Sequence, residues 1–97
     1  MCKSDIFNQI CQLVARETEV DSSEIIGANR TMEVVDARCL FFQLLREKGF
    51  VPTQIANKTQ RTAAAVRYLL SKYDERVAQN KMVELYAQKV RKQLENN

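Results

Sequence analysis

Residues 48–73 carry five cationic side chains, Lys48, Lys58, Arg61, Arg67 and Lys72, and no carboxylate. The flanking stretches are mixed in sign. Residues 1–47 hold five bases against eight acids, and residues 74–97 hold five against four. The formal net charge of +3 therefore comes from one basic block set between an acidic and a nearly neutral part. Side chains of this kind do anion chemistry: lysine offers a point charge, and arginine a planar fork matched to phosphate or to a guanine edge. A basic block of this density is the electrostatic footprint of a polyanion-binding surface.

The residues between these cations predict how they are held. Gly49 follows an amphipathic stretch and suits the left-handed position after a helix. Pro52 suits the first position of a new helix, where its missing N–H costs nothing. Ile55 and the small Ala56 follow, and Asn57, Lys58, Thr59 and Gln60 form a polar turn. Thr62 is a good cap for the next helix. Val66, ten residues after Ala56, and Leu69 point back at the first helix. The spacing predicts a helix-turn-helix over about residues 51–78, with Gln60 where glycine is common in the turn. At 100° per residue, Val66, Leu69, Leu70, Tyr73 and Val77 form one stripe of the second helix. Ala64, Ala65, Arg67, Tyr68, Ser71 and Lys72 form the outward one. Small residues at its start let such a helix sit deep in a major groove, and Arg67 lies one turn in, at base-reading reach.

Elsewhere the chain reads as helix. Ser4 or Asp5 caps a first helix with the apolar face Ile6, Phe7, Ile10, Cys11, Leu13 and Val14, fading near Glu17–Glu19. Asp21 or Ser22 starts a very short second helix closed by Gly27. Residues 27–33 read as an irregular loop. A third helix, with Asp36 as its cap, buries Ala37, Leu40, Phe41, Leu44 and Leu45, while Phe42 meets a second neighbour such as the N-terminal helix. The recognition helix continues through Asp74-Glu75-Arg76. Asn80 stops it and caps a last helix with the stripe Met82, Val83, Tyr86, Val90 and Leu94. The fold expected is all-α, with five to six helices in a single domain over residues 1–97.

Composition removes several function classes. There is no histidine among the 97 residues, so histidine base catalysis and histidine metal sites are excluded. The three cysteines, Cys2, Cys11 and Cys39, have no metal-ligand spacing; Cys11 and Cys39 read as small core residues in a reducing compartment. No apolar run approaches the ~20 residues of a membrane span. No signal segment is seen, and a complete, cytoplasmic, non-enzymatic protein without cofactor, metal or small-molecule substrate is expected. Met1 and the polar end Glu95-Asn96-Asn97 are the basis for completeness. A protein partner or self-association is left open.

From Ile6 to Leu94 the chain resembles the C-terminal DNA-binding domain, domain IV, of the bacterial replication initiator DnaA, a Trp-repressor-like helix-turn-helix. The resemblance rests on the opening helix, the phrase EVDSSEII, the loop GANRTMEVVDAR, the long helix ARCLFFQLLREKG and the helix pair after Pro52. It implies a duplex DNA partner, with Arg30 in the minor groove and Arg38 on a phosphate at the start of the long helix. Arg61 matches the arginine of the family signature Gly-Gly-Arg-Asp-His-Thr-Thr-Val. Thr59-Gln60 stand in place of the glycine pair, with one residue fewer before it. Thr62-Ala63-Ala64-Ala65 replace Asp-His-Thr-Thr, so the base-reading Asp and His are missing, and the loop has gained Glu33 and Asp36. The expected DNA-facing set is Arg30, Arg38, Lys58, Arg61, Thr62, Ala63, Ala64, Arg67, Tyr68 and Lys72. In it, Arg67 reads a base, and Lys58 and Arg61 hold phosphates. No GxxxxGK[ST] phosphate loop accompanies it. The roles implied are replication control, transcription control or a mobile element. The rival expectation is a protein-interaction module on the same fold, with Phe42, Tyr68 or Tyr86 as contacts.

Overall fold

A computed structural model describes residues 2–96. It contains α1 (Lys3–Thr18), α2 (Ser22–Ile26), α3 (Met32–Glu47), α4 (Pro52–Thr59), α5 (Ala63–Ser71), α6 (Tyr73–Gln79) and α7 (Lys81–Glu95), with no strand among the described residues. The organising element is α3, which packs on all six other helices. A helix surrounded in this way buries residues on every side, and any charged one among them needs a partner. Accordingly every residue from Asp36 to Phe42 is buried, and so are Val34, Leu44 and Leu45. Phe7 of α1 meets Phe41 edge-on at 5.1 Å between ring centroids and lies 6.4 Å from Phe50. Edge-to-face geometry suits the ring quadrupoles. Val83, Ala87 and Val90 of α7 close the core from the far side.

The α4–α5 pair forms where its punctuation lies. Gly49 takes φ +94°, the left-handed conformation that ends α3. Pro52 opens α4, and the Gln54 side chain accepts from the Val51 N–H at 3.0 Å. Thr62 Oγ1 accepts from the Ala65 N–H at 3.1 Å, capping α5. α4 runs through Thr59, so Asn57–Thr59 belong to the helix and the turn is shorter than expected. Ile55, Ala56 and Val66 are buried where α4 and α5 meet.

Gln60 supplies the turn's special conformation without being glycine. Its φ of 56° and ψ of 42° are left-handed, and the next N–H, of Arg61, returns to the Ala56 carbonyl at 3.0 Å. Left-handed backbone costs a side-chain-bearing residue about 1 kcal/mol or more. Gln60→Gly should therefore raise stability by roughly 0.5–1 kcal/mol after the added entropy of the unfolded chain. Urea unfolding measures it, and a loss of stability would contradict this account of the turn.

Three boundaries depart from expectation. There are seven helices rather than five or six, because the helix expected to continue through Asp74-Glu75-Arg76 breaks at Lys72. There the Lys72 N–H bonds the Leu69 carbonyl, three residues back, at 3.1 Å. The Cys39 thiol donates to the same carbonyl at 3.0 Å, and Ser71 Oγ donates to the Tyr68 carbonyl at 2.6 Å. With its carbonyls engaged by side chains, the α-helical ladder tightens and restarts as α6. Second, α3 starts at Met32, four residues before Asp36. Asp36 is no cap. It is buried and pairs with Arg76 at 2.8 Å, with Asn80 Nδ2 at 3.4 Å from its other oxygen. Third, neither Ser4 nor Asp5 caps α1; Cys2 holds that position and its thiol donates to Asp5 at 3.3 Å. Phe42 is fully buried beside Phe41, with the Arg61 guanidinium 5.7 Å from its ring centroid, which removes it as an exposed contact.

Cys11 and Cys39 are buried, as expected. Burial is the main cause that pushes the Cys39 thiol up to about 11, so at neutral pH it is a protonated donor to Leu69. No helix among the described residues is long and apolar enough to cross a membrane.

Candidate nucleic-acid interface

An open groove of about 790 Å³ separates the α2–α3 connection from α5. One wall is Ile26, Gly27, Ala28 and Arg30, and the other is Ala65, Tyr68 and Leu69. Val35 and Arg38 of α3, the turn residues Thr59–Arg61, and Arg76 of α6 complete the lining. Four of these residues are arginines and none is a carboxylate. Sequence order alone does not bring Arg30 and Arg76 together; α3 does, by packing on α2, α5 and α6.

The four guanidiniums are not equivalent. Arg30 is exposed at the rim. Arg38, expected on a phosphate, is only 4% exposed. Its Nε donates to the Ile25 carbonyl at 2.7 Å, and its Nη2 to the carbonyls of Glu24 at 2.9 Å and Asn29 at 3.0 Å. A side chain held by three backbone acceptors under cover cannot swing out to a phosphate, so Arg38 is not the phosphate contact expected of it. Arg61 is half-buried. It donates to the Ile26 carbonyl at 2.6 Å, to the Gly27 carbonyl, and at 3.4 Å to that of Thr59. Its guanidinium also faces inward rather than to a phosphate. Arg76 is held by Asp36.

Burial lowers the proton affinity of both Arg38 and Arg61, and the nearby charges of Arg61 and Arg30 lower that of Arg38 further. Guanidinium remains charged regardless. No ion pair to a carboxylate is made by Arg30, Arg38 or Arg61 among the described residues. Carbonyl dipoles satisfy their N–H groups without cancelling their charge, so the groove keeps a positive potential.

On α5, Arg67 is exposed and makes no hydrogen bond or ion pair among the described residues. Pairing with Glu33 or Asp74, the obvious competing use of its charge, does not occur. Thr62 and Ala64 are exposed and Ala63 half-buried, so the start of α5 faces solvent. Tyr68 is 62% exposed at the groove rim, with Lys72 Nζ 5.4 Å from its ring centroid. Lys72 is also 3.5 Å from Glu75. Lys58 lies apart from this group. Its Nζ donates to Ser4 Oγ at 3.1 Å and sits 5.3 Å from the Phe7 ring, at the start of α1.

So the molecule brings Arg30, Arg61, Ala65 and Tyr68 to one groove, adjoining the exposed start of α5, and sets Lys58 elsewhere. Sequence reasoning missed Arg76, Val35 and Leu69 as groove lining. Arg76 belongs to a segment of mixed charge, and only the break at Lys72 redirects it. Among the described residues no three Cys, Asp or Glu side chains converge as metal ligands. No protein-family model matches the sequence, and no curated protein matches it.

Proposed function

We propose that the chain binds double-stranded DNA, as a helix-turn-helix protein of the kind found in the C-terminal domain of DnaA. In this reading α4 is the supporting helix and α5 the recognition helix. The observation that carries it is the carboxylate-free groove with Arg30 on one wall and the exposed face of α5 on the other. A helix has the width to fill a major groove, and arginine is the side chain that fits a narrow minor groove. With α5 in the one and Arg30 in the adjacent other, the intervening sugar–phosphate strand crosses the groove between them. Its charge meets a lining in which Arg30, Arg38 and Arg61 have no carboxylate partner among the described residues. Ala64 and Ala65 offer no hydrogen bonds, so sequence preference rests on Arg67 and on thymine-methyl contacts, and is modest.

Exposed Tyr68 at the rim favours a second reading, a protein-interaction module on the same scaffold, since a large exposed aromatic is a common anchor of protein interfaces. Phe42, fully buried, has no part in it. Amide shifts recorded while a duplex is added distinguish the two. The DNA reading expects shifts concentrated in residues 28–31 and 62–68. Shifts confined to α1 and α7, or none at low salt, would contradict it.

A further inference from the structure

α2 is a five-residue helix, too short to persist on its own. A helix end leaves its last carbonyls without intrahelical donors. Here the carbonyls of Glu24, Ile25, Ile26 and Gly27 each accept from a guanidinium: Arg38 takes the first two, Arg61 the last two. The two arginines come from different parts of the chain. Arg38 ties the end of α2 to α3, and Arg61 ties it to the turn between α4 and α5. Arg61 is itself aimed by that turn, because left-handed Gln60 returns its N–H to the Ala56 carbonyl. Arg30 follows three residues after Gly27 on the tethered connection.

We infer that Arg61 is a positioning residue: its guanidinium fixes the spacing between the Arg30 connection and α5 before DNA arrives, and it does not contact phosphate. The consequence for binding rests on the duplex reading above; the tether itself does not. Closing a preset gap spares the ordering cost that a loose loop would incur on binding. Without the Arg61 tether, Arg38 still ties the connection to α3 through the carbonyls of Glu24, Ile25 and Asn29, but nothing sets its distance from the α4–α5 turn, so Arg30 and α5 no longer reach adjacent grooves at a fixed spacing. Lysine cannot replace arginine in this role. One ammonium cannot span two carbonyls as a planar fork does, although it would serve equally well as a point charge on a phosphate.

The test uses Arg61→Ala, Arg61→Lys, Arg30→Ala and the Arg30→Ala/Arg61→Ala double variant, each verified as folded by circular dichroism at the assay temperature. In the free proteins, amide exchange at residues 24–31 should accelerate about tenfold or more in both Arg61 variants, the factor that goes with losing a charged hydrogen bond. Unchanged exchange overturns the inference, whatever the DNA result. On a random duplex over a salt series, Arg61→Lys should lose affinity as Arg61→Ala does. In the Arg30→Ala background, removing Arg61 should change affinity by less than about twofold and leave the salt slope unaltered, because the two act through one contact. A phosphate-contacting Arg61 would instead be rescued by lysine and would lower the slope by about one unit in either background. Those results overturn the inference. If the wild-type protein binds no duplex, the DNA reading fails while the exchange measurement still decides the tether.

Discussion

Arg38→Ala is expected to destabilise the chain by about 3–5 kcal/mol, the summed cost of leaving three carbonyl acceptors without their charged donor, at roughly 1–3 kcal/mol each and less where water reaches them. The guanidinium is held by three backbone carbonyls in a nearly closed site. Truncation strands those acceptors and leaves a void beneath the α2–α3 connection. Set against the roughly 5–15 kcal/mol that holds a domain of this size folded, the loss is a large fraction. Arg38→Lys should recover only part of it, since the planar fork is what reaches Glu24, Ile25 and Asn29 together. Urea unfolding at neutral pH measures both. A cost for Arg38→Ala under about 1 kcal/mol would mean that the side chain is a surface cation after all.

Arg67→Ala is expected to do the reverse: leave stability within about 0.5 kcal/mol and weaken duplex binding by about 1–3 kcal/mol, or roughly 5- to 150-fold. Arg67 is exposed, its charge is not shared with any carboxylate, and it lies one turn into α5. The loss should be greater on a duplex selected for binding than on a random one, because a guanine contact contributes only where guanine is present. Equal losses on both duplexes would make Arg67 a phosphate contact. No loss on either would favour the protein-interaction reading. Affinities of the variant and wild type on the two duplexes, over a salt series, decide it.

Much of the fold can be read from residues whose effect is local. Gly49, Pro52, Thr62 and Asn80 act through their own backbone or first-turn hydrogen bonds, and the helices start or stop beside them. Apolar stripes on α1 and α5 likewise follow from spacing alone, while on α7 the expected Met82 is exposed and Ala87 is buried with Val83 and Val90 instead. What sequence hides is where a charge goes when its partner is backbone. Arg38 and Arg61 satisfy carbonyls, which every residue carries, so no sequence signal separates them from the exposed Arg30 and Arg67. Charge reads as surface, and for the same reason Asp36 reads as a cap although it is buried against Arg76. Its partner Arg76 is forty positions away. The break at Lys72 is hidden in a related way, because it depends on a cysteine thiol reaching Leu69 from another helix. The all-helical class follows from the apolar spacing and the absence of period-two runs, whereas the burial of Arg38 has no signature in sequence.

The duplex reading itself is tested most directly by salt. Fluorescence anisotropy of a labelled random duplex, titrated with the full chain at several salt concentrations, gives the slope of log K against log salt. Each phosphate neutralised contributes about −0.9 to that slope. Arg30 and Arg67 carry no ion pair among the described residues, and Lys72 shares only an exposed one with Glu75, so the account predicts measurable binding at low salt and a slope of roughly −2 to −4. No binding at the lowest salt, or an affinity indifferent to salt, would contradict it.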